Sequence, residues 1–328
     1  MEKRTISRLG RQVSVIGLGT WQLGSDWGDV REEDALAVLD TAYESGVRFF
    51  DTADAYGDGA SEQVIGTFLR TRGHDDIVVA TKMGRRVMPQ RADIYTLDNF
   101  RAWTDRSRKN LGVETLDLIQ LHCPPTSVYS DDQVFDALDT LVDDGRAAAY
   151  GVSVETRAEA LTAIARPRVA SVQMVFNMLR QAPLTHVLPA AAAAGVGVIA
   201  RVPLASGLLS GKYDQNTTFA ANDHRNYNRD GKAFDIGETF AGVDFTTGLE
   251  AVSRLVPLVP ADATMAQFAL RWILDQPGIS TVIPGARNPK QALSNASANA
   301  LAPLTPETLA IVHEIYDELI SPQIGDRW

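Results

Sequence analysis

The sequence has few of the features that mark several large classes of protein. Among its 328 residues there is one cysteine, Cys123, so an internal disulfide and a multi-cysteine metal site are both excluded, and no metal site is predicted. Lysine and arginine total 31 against 41 aspartates and glutamates, which gives a net charge of −10. An acidic chain without basic runs is poorly suited to bind nucleic acid or an anionic membrane surface.

Long apolar runs are also missing. No stretch approaches the roughly 18 apolar residues of a membrane-spanning helix, and the alanine run at 190–194 ends at Gly195. The first residues, from Met1 to Arg4, lead into a polar segment without the apolar core of a secretory signal. We therefore expect a cytoplasmic protein.

Short apolar segments alternate regularly with amphipathic helical patterns. In the helical patterns the apolar positions lie three and four residues apart, and several patterns end at a glycine. The predicted strands lie at residues 15–18, 49–51, 77–82, 116–122, 149–153, 171–175, 196–200 and 280–283. Strict alternation implies a parallel sheet, and eight such units predict an α/β fold that closes into a (β/α)8 TIM barrel, a single domain over residues 1–328.

Three segments depart from this alternation. The start of the chain predicts a β-hairpin that turns at Gly10. Residues 205–262 predict a long loop after the seventh strand, and the part from Asp214 to Gly242 is polar and lacks clean periodicity. Connections of this length are typical of active-site lids or of disordered segments. Residues 306–320 predict an extra helix near the C-terminus.

Polar side chains follow three successive predicted strands, at the point where each strand ends. Asp51, Lys82 and His122 stand at these ends, and Tyr56 follows on the loop after Asp51. Because the carboxyl ends of parallel strands meet at one edge, where barrels and open sheets bind ligands, we expect these side chains to lie together. Any one of them alone is more often a helix cap, a packing tyrosine or a core histidine, but their coincidence favours a functional site.

These four side chains predict a polarised proton donor. A tyrosine phenol has a pKa of about 10, and a nearby ammonium favours the phenolate, so we expect Lys82 to lower the pKa of Tyr56. Asp51 would keep Lys82 charged and in place, and His122 would donate a hydrogen bond to an oxygen that already faces Tyr56. Such an arrangement suits a carbonyl oxygen that gains negative charge.

The segment at 51–57, Asp-Thr-Ala-Asp-Ala-Tyr-Gly, followed by Lys82 and His122 at the next strand ends, resembles the aldo-keto reductase superfamily. The likeness runs through almost the whole chain. It implies a catalytic tetrad in which Tyr56 is the general acid, Lys82 and Asp51 tune it, and His122 orients the carbonyl. It also implies hydride transfer from a nicotinamide cofactor that is bound in extended form, without a Rossmann domain.

The resemblance extends to three groups of cofactor residues. Ser153 and Gln173, at the ends of the fifth and sixth strands, match residues that hold the nicotinamide carboxamide. The segment 201–212 matches the loop around the nicotinamide and pyrophosphate, with Arg201 where many relatives have a stacking tyrosine. A guanidinium plane can also stack on a ring. The cofactor-binding residues implied in this way are Gly19, Thr20, Ser153, Gln173, Arg201, Pro203, Leu204, Ser206, Gly207, Leu209, Ser210, Lys212, Gly285, Arg287, Gln291 and Asn295.

The third group, at 283–291, matches the segment that binds the adenosine phosphate, and its sequence is independently suited to an anion. Asn288 is a good N-cap and Pro289 a good first helical residue. The start of this helix therefore presents free N–H groups and a positive dipole end to a phosphate. Arg287 adds a positive charge beside it. We expect NADP(H) as the cofactor, with NAD(H) as the alternative.

Two tryptophans complete the predicted site. Trp21 and Trp27 follow the first strand and are predicted to wall the substrate site, although aromatic packing over the barrel mouth explains Trp27 equally well.

The leading functional hypothesis is an NADP(H)-dependent reductase of aldehydes and ketones that also oxidises alcohols. It would act on a small-molecule carbonyl substrate, as a monomer or homo-oligomer. The alternative is a cofactor-binding regulatory or redox-sensing subunit with slow turnover, of the kind that the superfamily includes among potassium-channel β subunits. A third interpretation, a barrel of unrelated chemistry, predicts no binding of a nicotinamide cofactor.

Overall fold

The computed structural model describes residues 1–24 and 31–325. Across this part of the chain, eight parallel strands form one sheet, and each strand pairs with the next along the sequence. An N-terminal hairpin precedes them. The strands are β1 (Lys3–Ile6) and β2 (Arg11–Ser14) in the hairpin, then β3 (Leu18–Gly19), β4 (Phe49–Asp51), β5 (Val78–Met83), β6 (Leu118–His122), β7 (Tyr150–Ser153), β8 (Val169–Val175), β9 (Gly197–Arg201) and β10 (Ile279–Val282).

The sheet closes between its first and last strands. The amide of Gly17 donates to the carbonyl of Val282 at 2.8 Å, and the amide of Val282 donates to the carbonyl of Val15 at 3.0 Å. Ile16 and Val282 form a parallel bridge. The predicted (β/α)8 barrel is therefore confirmed. Residues 15–17, which lie just before β3, form the contacts with β10 that close the barrel.

Helices join consecutive strands and cover the outside of the barrel. Within the described residues they are α1 (Glu32–Glu44), α2 (Ala60–Arg72), α3 (Leu97–Leu111), α4 (Asp132–Asp143), α5 (Arg157–Ile164), α6 (Pro183–Ala194), α7 (His224–Tyr227), α8 (Phe245–Leu255), α9 (Met265–Leu274), α10 (Pro289–Ser297), α11 (Pro306–Ile315) and α12 (Ser321–Ile324). Local chemistry sets their ends. Thr156 and Glu159 form a capping box at the start of α5, and Gly112 ends α3 with a φ of 71°.

The hairpin closes the amino-terminal end of the barrel. Ile6 and Val13 are buried against residues that fill the barrel interior, among them Phe49, Leu118 and Ile199. A second and larger apolar core lies between the barrel and the surrounding helices. With one end plugged in this way, the carboxyl ends of the strands form the edge that is available for ligands.

The segment after β9 is more regular than the sequence indicates. The long loop predicted over 205–262 is present up to Asp244, but α8 follows it. That helix begins because the Asp244 carboxylate accepts hydrogen bonds from the amides of Thr246 and Thr247. It continues because Val252 and Leu255 are buried against the core.

The predicted C-terminal helix is confirmed as α11, which continues through a further helical turn into α12. No helix in the described part of the chain is both long enough and apolar enough to span a membrane.

Candidate active site

The carboxyl ends of β4 and β5 bring three of the four predicted catalytic side chains into direct contact. The Lys82 Nζ lies 2.5 Å from Asp51 Oδ1 and 3.3 Å from the Tyr56 hydroxyl. It also donates to the carbonyl of Thr52 at 2.8 Å. Lys82 and Asp51 are almost fully buried, with side-chain exposures of 1% and 3%. Because the ammonium is enclosed with one carboxylate and one phenol, its charge acts directly on both.

The second oxygen of Asp51 is held by amide side chains from neighbouring strands. Gln173 Nε2 donates to Asp51 Oδ2 at 2.6 Å, and Gln120 Nε2 lies 3.5 Å from the same oxygen. The resemblance predicts that Gln173 holds the nicotinamide carboxamide. In this structure its Nε2 helps to fix the carboxylate that holds Lys82, and its side chain also lines the cavity, so the predicted contact with the carboxamide stays a prediction.

Burial dominates the ionisation of Tyr56. It raises the pKa of the phenol above its ordinary value, and the positive charge of Lys82 opposes this rise without cancelling it. The prediction that Lys82 gives a net lowering of the Tyr56 pKa is therefore wrong for this arrangement, because the desolvation of a phenolate outweighs the attraction. The consequence is that Tyr56 carries its proton at neutral pH and is available as a donor.

Lys82 and His122 differ in charge. Burial acts to lower the pKa of Lys82, but attraction to Asp51 and Tyr56 outweighs it, so the pKa is raised and the ammonium stays charged. Burial, followed by repulsion from Arg85 and Lys82, holds the pKa of His122 well below its ordinary value. His122 is therefore a neutral imidazole, and its ring meets the Tyr56 ring edge-on with centroids 5.8 Å apart.

A cavity of about 320 Å³ opens at this edge of the barrel. It reaches from Tyr56 to the residues just before α10, a span that suits an elongated ligand with an anionic end. Most of the predicted site residues line it: Gly19, Thr20, Trp21, Asp51, Tyr56, Gln173, Arg201, Pro203, Leu204, Ser206, Gly207, Gly285, Arg287 and Gln291. Lys82 and His122 are buried beside it.

The residues at the α10 end of the cavity fit a phosphate. Asn288 caps the helix, since its side chain accepts from the amide of Gln291 at 2.9 Å. The Gln291 side chain in turn accepts from the amide of Arg287 at 2.7 Å. A Cβ at Gly285 would lie 2.3 Å from the side-chain amide oxygen of Gln22, so a larger residue there would require the Gln22 side chain to move. The helix start and an exposed arginine therefore face the same space.

Two predicted cofactor residues act within the protein instead of facing the cavity. The Ser153 hydroxyl accepts a hydrogen bond from the Cys123 thiol at 3.4 Å and is 1% exposed. Asn295 donates its amide to the carbonyl of Gly285 at 3.1 Å. Asn295 thus supports the loop before α10, and Ser153 is covered at the end of β7.

The end of the 201–212 segment also turns away from the cavity. Leu209 is fully buried in the core, and the Ser210 hydroxyl donates to the carbonyl of Gly207 at 2.6 Å. Lys212 is exposed and does not line the cavity. Ser206 does line it, but its hydroxyl donates to the carbonyl of Glu238 at 2.8 Å, so it anchors the segment that follows.

Of the two tryptophans predicted to wall the substrate site, the structure places one at the cavity. Trp21 lines the cavity, with its ring centroid 6.3 Å from that of Tyr56 and 5.3 Å from that of His224. Trp27 lies outside the described residues.

Four charged or titratable residues of the site were not predicted from the sequence: Arg85, His224, Arg225 and Glu238. Arg85 follows the end of β5 by two residues, so its position at the same edge is a usable signal. The other three lie in the irregular segment after β9, where neither a strand end nor a helical period marks a position. Burial lowers the pKa of His224 to about 4, so it is neutral in the cavity wall.

Glu238 forms a compact charged cluster with two arginines. Its Oε1 lies 3.1 Å from Arg201 NH1 and 3.3 Å from Arg85 NH1. Burial acts to raise the pKa of Glu238, but attraction to the two guanidinium groups outweighs it and lowers the pKa. Glu238 is therefore an ionised carboxylate at the mouth of the barrel.

Cys123, Glu155 and Glu238 place potential metal-ligand atoms within 4.8 Å of one another. Arg201 already occupies this group, with NH2 3.7 Å from Cys123 Sγ and NH1 paired to Glu238. Burial also raises the pKa of the Cys123 thiol to about 11, which keeps it from becoming a thiolate ligand. Because the Arg201 guanidinium already pairs with Glu238 and the thiol stays protonated, this cluster is unsuited to a divalent cation.

Comparisons with known proteins agree with this geometry. The model of the Aldo/keto reductase family matches residues 15–317. The chain is 30% identical to the aldo-keto reductase YhdN of Bacillus subtilis (strain 168), over 100% of this chain and 97% of the relative. It is 29% identical to a probable voltage-gated potassium channel subunit beta of Arabidopsis thaliana, over 96% of each.

A solved aldo-keto reductase from Klebsiella pneumoniae in complex with NADPH has the same fold. It superimposes with a TM-score of 0.71 at 22% identity and covers 96% of each chain. Because the family match extends from the first barrel strand into the C-terminal helices, the chain belongs to the aldo/keto reductase family of oxidoreductases.

Proposed function

We propose that this protein is an NADP(H)-dependent reductase of aldehydes and ketones, reversible toward alcohol oxidation, with Tyr56 as the general acid. The observation that carries the proposal is the buried contact of Lys82 with both Asp51 and the Tyr56 hydroxyl, at 2.5 and 3.3 Å. A phenol beside a fixed ammonium suits proton donation to an oxygen that becomes negative.

When bound, a nicotinamide cofactor would supply the hydride. Tyr56 donates its proton to the carbonyl oxygen, and Lys82 stabilises the phenolate that results. Asp51, held by Gln173, keeps the ammonium in place. Neutral His122 lies beside the Tyr56 ring and offers a ring N–H to the same carbonyl oxygen. Proton donation of this kind accelerates a reaction by roughly a hundred- to ten-thousandfold.

The preference for NADP(H) is supported by the residues at the far end of the cavity. The capped start of α10 offers N–H groups to a phosphate, and Arg287 lines the cavity there. The Klebsiella pneumoniae aldo-keto reductase, which shares the fold, was solved with NADPH bound.

The substitution Tyr56→Phe tests the acid role, because it removes only the hydroxyl and keeps the ring packing. We expect the steady-state rate of NADPH consumption with a panel of aldehydes to fall by about a hundredfold or more. The affinity for NADPH should stay within about threefold of the wild-type value, because the hydroxyl is proposed to contact the substrate and not the cofactor. Tyr43→Phe is the matched control, because Tyr43 lies on α1 beneath the Arg48 guanidinium, away from the cavity.

Near-wild-type turnover by Tyr56→Phe would remove Tyr56 from the acid role. A wild-type protein that binds NADPH but consumes none with any carbonyl in the panel would favour the regulatory alternative instead.

A further inference from the structure

Two guanidinium groups border the catalytic side chains, and they share one carboxylate. Arg85 comes from the loop after β5, and Arg201 from the end of β9. Their NH1 atoms both contact the same oxygen of Glu238, at 3.3 and 3.1 Å. Glu238 reaches them from the irregular segment between β9 and α8. The site thus contains a two-arginine receptor that is occupied by a carboxylate from the protein itself.

The two arginines differ in how completely they are satisfied. Arg201 is 8% exposed and also donates to the carbonyl of Val154 at 3.3 Å. Arg85 is more open, with 21% of its side chain exposed. Within the described residues its hydrogen-bond partners are Glu238 Oε1 and His122 Nε2. Both contacts involve NH1, so the other N–H donors of this guanidinium have no hydrogen-bond partner in the described part of the chain and can take a further acceptor.

Arg85 also lies close to the reacting position. Its NH1 is 3.4 Å from His122 Nε2. Because an arginine only donates, Nε2 of the neutral ring accepts in this contact, and a carbonyl oxygen bonded to an Nε2–H requires the other tautomer of His122. In that tautomer the oxygen would lie at about 3 Å from Nε2, and therefore within about 6 Å of Arg85 NH1. The Phe234 ring, 5.7 Å from the guanidinium carbon, packs near its face and limits its orientation.

We propose that Arg85 determines substrate specificity by binding a carboxylate on the carbonyl substrate, with Glu238 holding that position until the substrate displaces it. The preferred substrates are then oxo acids, short molecules that carry an aldehyde or ketone and a carboxylate. This inference rests on the proposed reductase function and adds the substrate class to it.

A carboxylate is favoured over other anions because a carboxylate already occupies the receptor. The planar fork of a guanidinium matches the two oxygens of a carboxylate. Exchange of Glu238 for a substrate carboxylate keeps the charge of the cluster unchanged, so neither arginine is left buried without a counterion. A neutral carbonyl compound gains nothing from this exchange.

The test compares 4-formylbenzoate with its neutral methyl ester, methyl 4-formylbenzoate. We expect the carboxylate to have a kcat/KM about tenfold or more above that of the ester, mainly through a lower KM, because a charged hydrogen bond is gained on binding. Arg85→Gln should lower kcat/KM for the carboxylate by about ten- to hundredfold more than it lowers kcat/KM for the ester.

Arg86→Gln is the matched control. Arg86 is the next residue along the chain, but it is exposed and paired with Asp58 at 2.7 Å. This variant should leave both substrates unchanged. Glu238→Gln provides a test in the opposite direction: it removes the competing carboxylate, so KM for 4-formylbenzoate should fall by about threefold or more. If Arg85 had only a structural role, Arg85→Gln would affect the acid and the ester equally.

Equilibrium binding separates this inference from the proposed function. Calorimetry with 4-(hydroxymethyl)benzoate and its methyl ester, each with and without NADPH, measures binding to Arg85 without turnover, because the reduced cofactor cannot oxidise an alcohol. Equal affinity for acid and ester, or equal weakening of both by Arg85→Gln, would overturn the inference. If the acid binds more tightly than the ester, and this difference depends on Arg85, the carboxylate-binding role of Arg85 is supported. If the same protein reduces no aldehyde, the reductase proposal is wrong while the binding role of Arg85 stands.

Discussion

Tyr56 illustrates how burial and a single nearby charge compete at one residue. The phenol is enclosed by the barrel edge, and the cost of desolvating a phenolate raises its pKa despite Lys82 at 3.3 Å. The ground state therefore favours the protonated phenol. The lysine acts when negative charge develops on the phenol oxygen, which is the stage at which an interaction accelerates a reaction. A high ground-state pKa and a role as proton donor are consistent.

Arg287 carries the residue-scale prediction about the cofactor. We expect Arg287→Ala to weaken NADPH binding by about tenfold or more and to leave NADH binding almost unchanged, because only NADPH presents a 2′-phosphate to the guanidinium. Fluorescence titration of both cofactors against the wild type and the variant measures this difference. Arg91→Ala, which removes an exposed arginine paired with Asp93 on another loop, is the control. Equal weakening for both cofactors would exclude the 2′-phosphate assignment.

At the scale of elements, the sequence predicts what depends on local pattern. Apolar runs ending in Asp51, Lys82 and His122 identify three strands and the edge at which they meet, because period and strand direction are local properties. The Asn288–Pro289 pair predicts the start of α10 for the same reason.

Contacts between distant segments could not be predicted in this way. Gln173 and Asp51 are 122 residues apart when their side chains meet. Glu238 reaches Arg85 across 153 residues, from a short helical turn at 236–238 in the long segment after β9. No sequence period encodes such pairs, since they follow from closure of the barrel and the path of one long loop.

That loop has apolar anchors that its composition does not reveal. The polar composition of residues 214–242 indicates few such anchors, but the structure shows them at the end of the segment. Phe240 is buried, its ring centroid lies 5.0 Å from that of Phe245 and 5.7 Å from that of Phe219, and Tyr213 packs on Phe219 at 5.3 Å. The stretch 214–222 is instead mostly exposed. Aromatic contacts thus hold the loop near Tyr213, Phe219 and Phe240, while most other residues of 214–222 face solvent.

We expect the start of this loop to respond to cofactor. Residues 205–215 border the proposed pyrophosphate position, so bound NADPH should slow their backbone hydrogen exchange first, with a smaller effect on 216–242. Exchange in α8, whose inner face is buried, should be slow with or without NADPH and serves as the internal control. The measurement is hydrogen exchange by mass spectrometry in both states. Slow exchange over 205–215 in the free protein, or no response to NADPH, would make the loop a fixed part of the barrel rim.

At the scale of the whole molecule, buried carboxyl groups set how stability depends on pH. Asp54 is 1% exposed, and its Oδ1 has no hydrogen-bond partner in the described part of the chain. Burial, followed by repulsion from Glu62, raises the pKa of Asp54 to about 7. Burial likewise raises the pKa of Glu155 to about 7. Both groups therefore hold a proton in the folded protein at pH values where the unfolded chain has lost it.

The sign of the effect follows from proton binding. An unfolded aspartate titrates near pH 4, so between about pH 4 and pH 7 the folded state binds more protons than the unfolded state. The free energy of unfolding therefore falls as pH rises through this range, and the full loss is present above pH 7. For Asp54, a pKa of about 7 in the folded protein lowers the free energy of unfolding by at most about 4 kcal/mol, at 1.36 kcal/mol per pKa unit.

Asp54→Asn should remove this dependence while keeping the size of the side chain. Its stability advantage over the wild type should grow by up to about 3 kcal/mol between pH 5 and pH 8, since two pKa units of titration are eliminated. Urea unfolding at both pH values, analysed with a common m-value, measures the change. Asp58→Asn is the control, because Asp58 is exposed and the hydrogen bond from Arg86 lowers its pKa, so this variant should gain nothing at pH 8. If Asp54→Asn were equally stabilising at pH 5 and pH 8, the gain would come from packing, and ionisation of Asp54 would have no part in it.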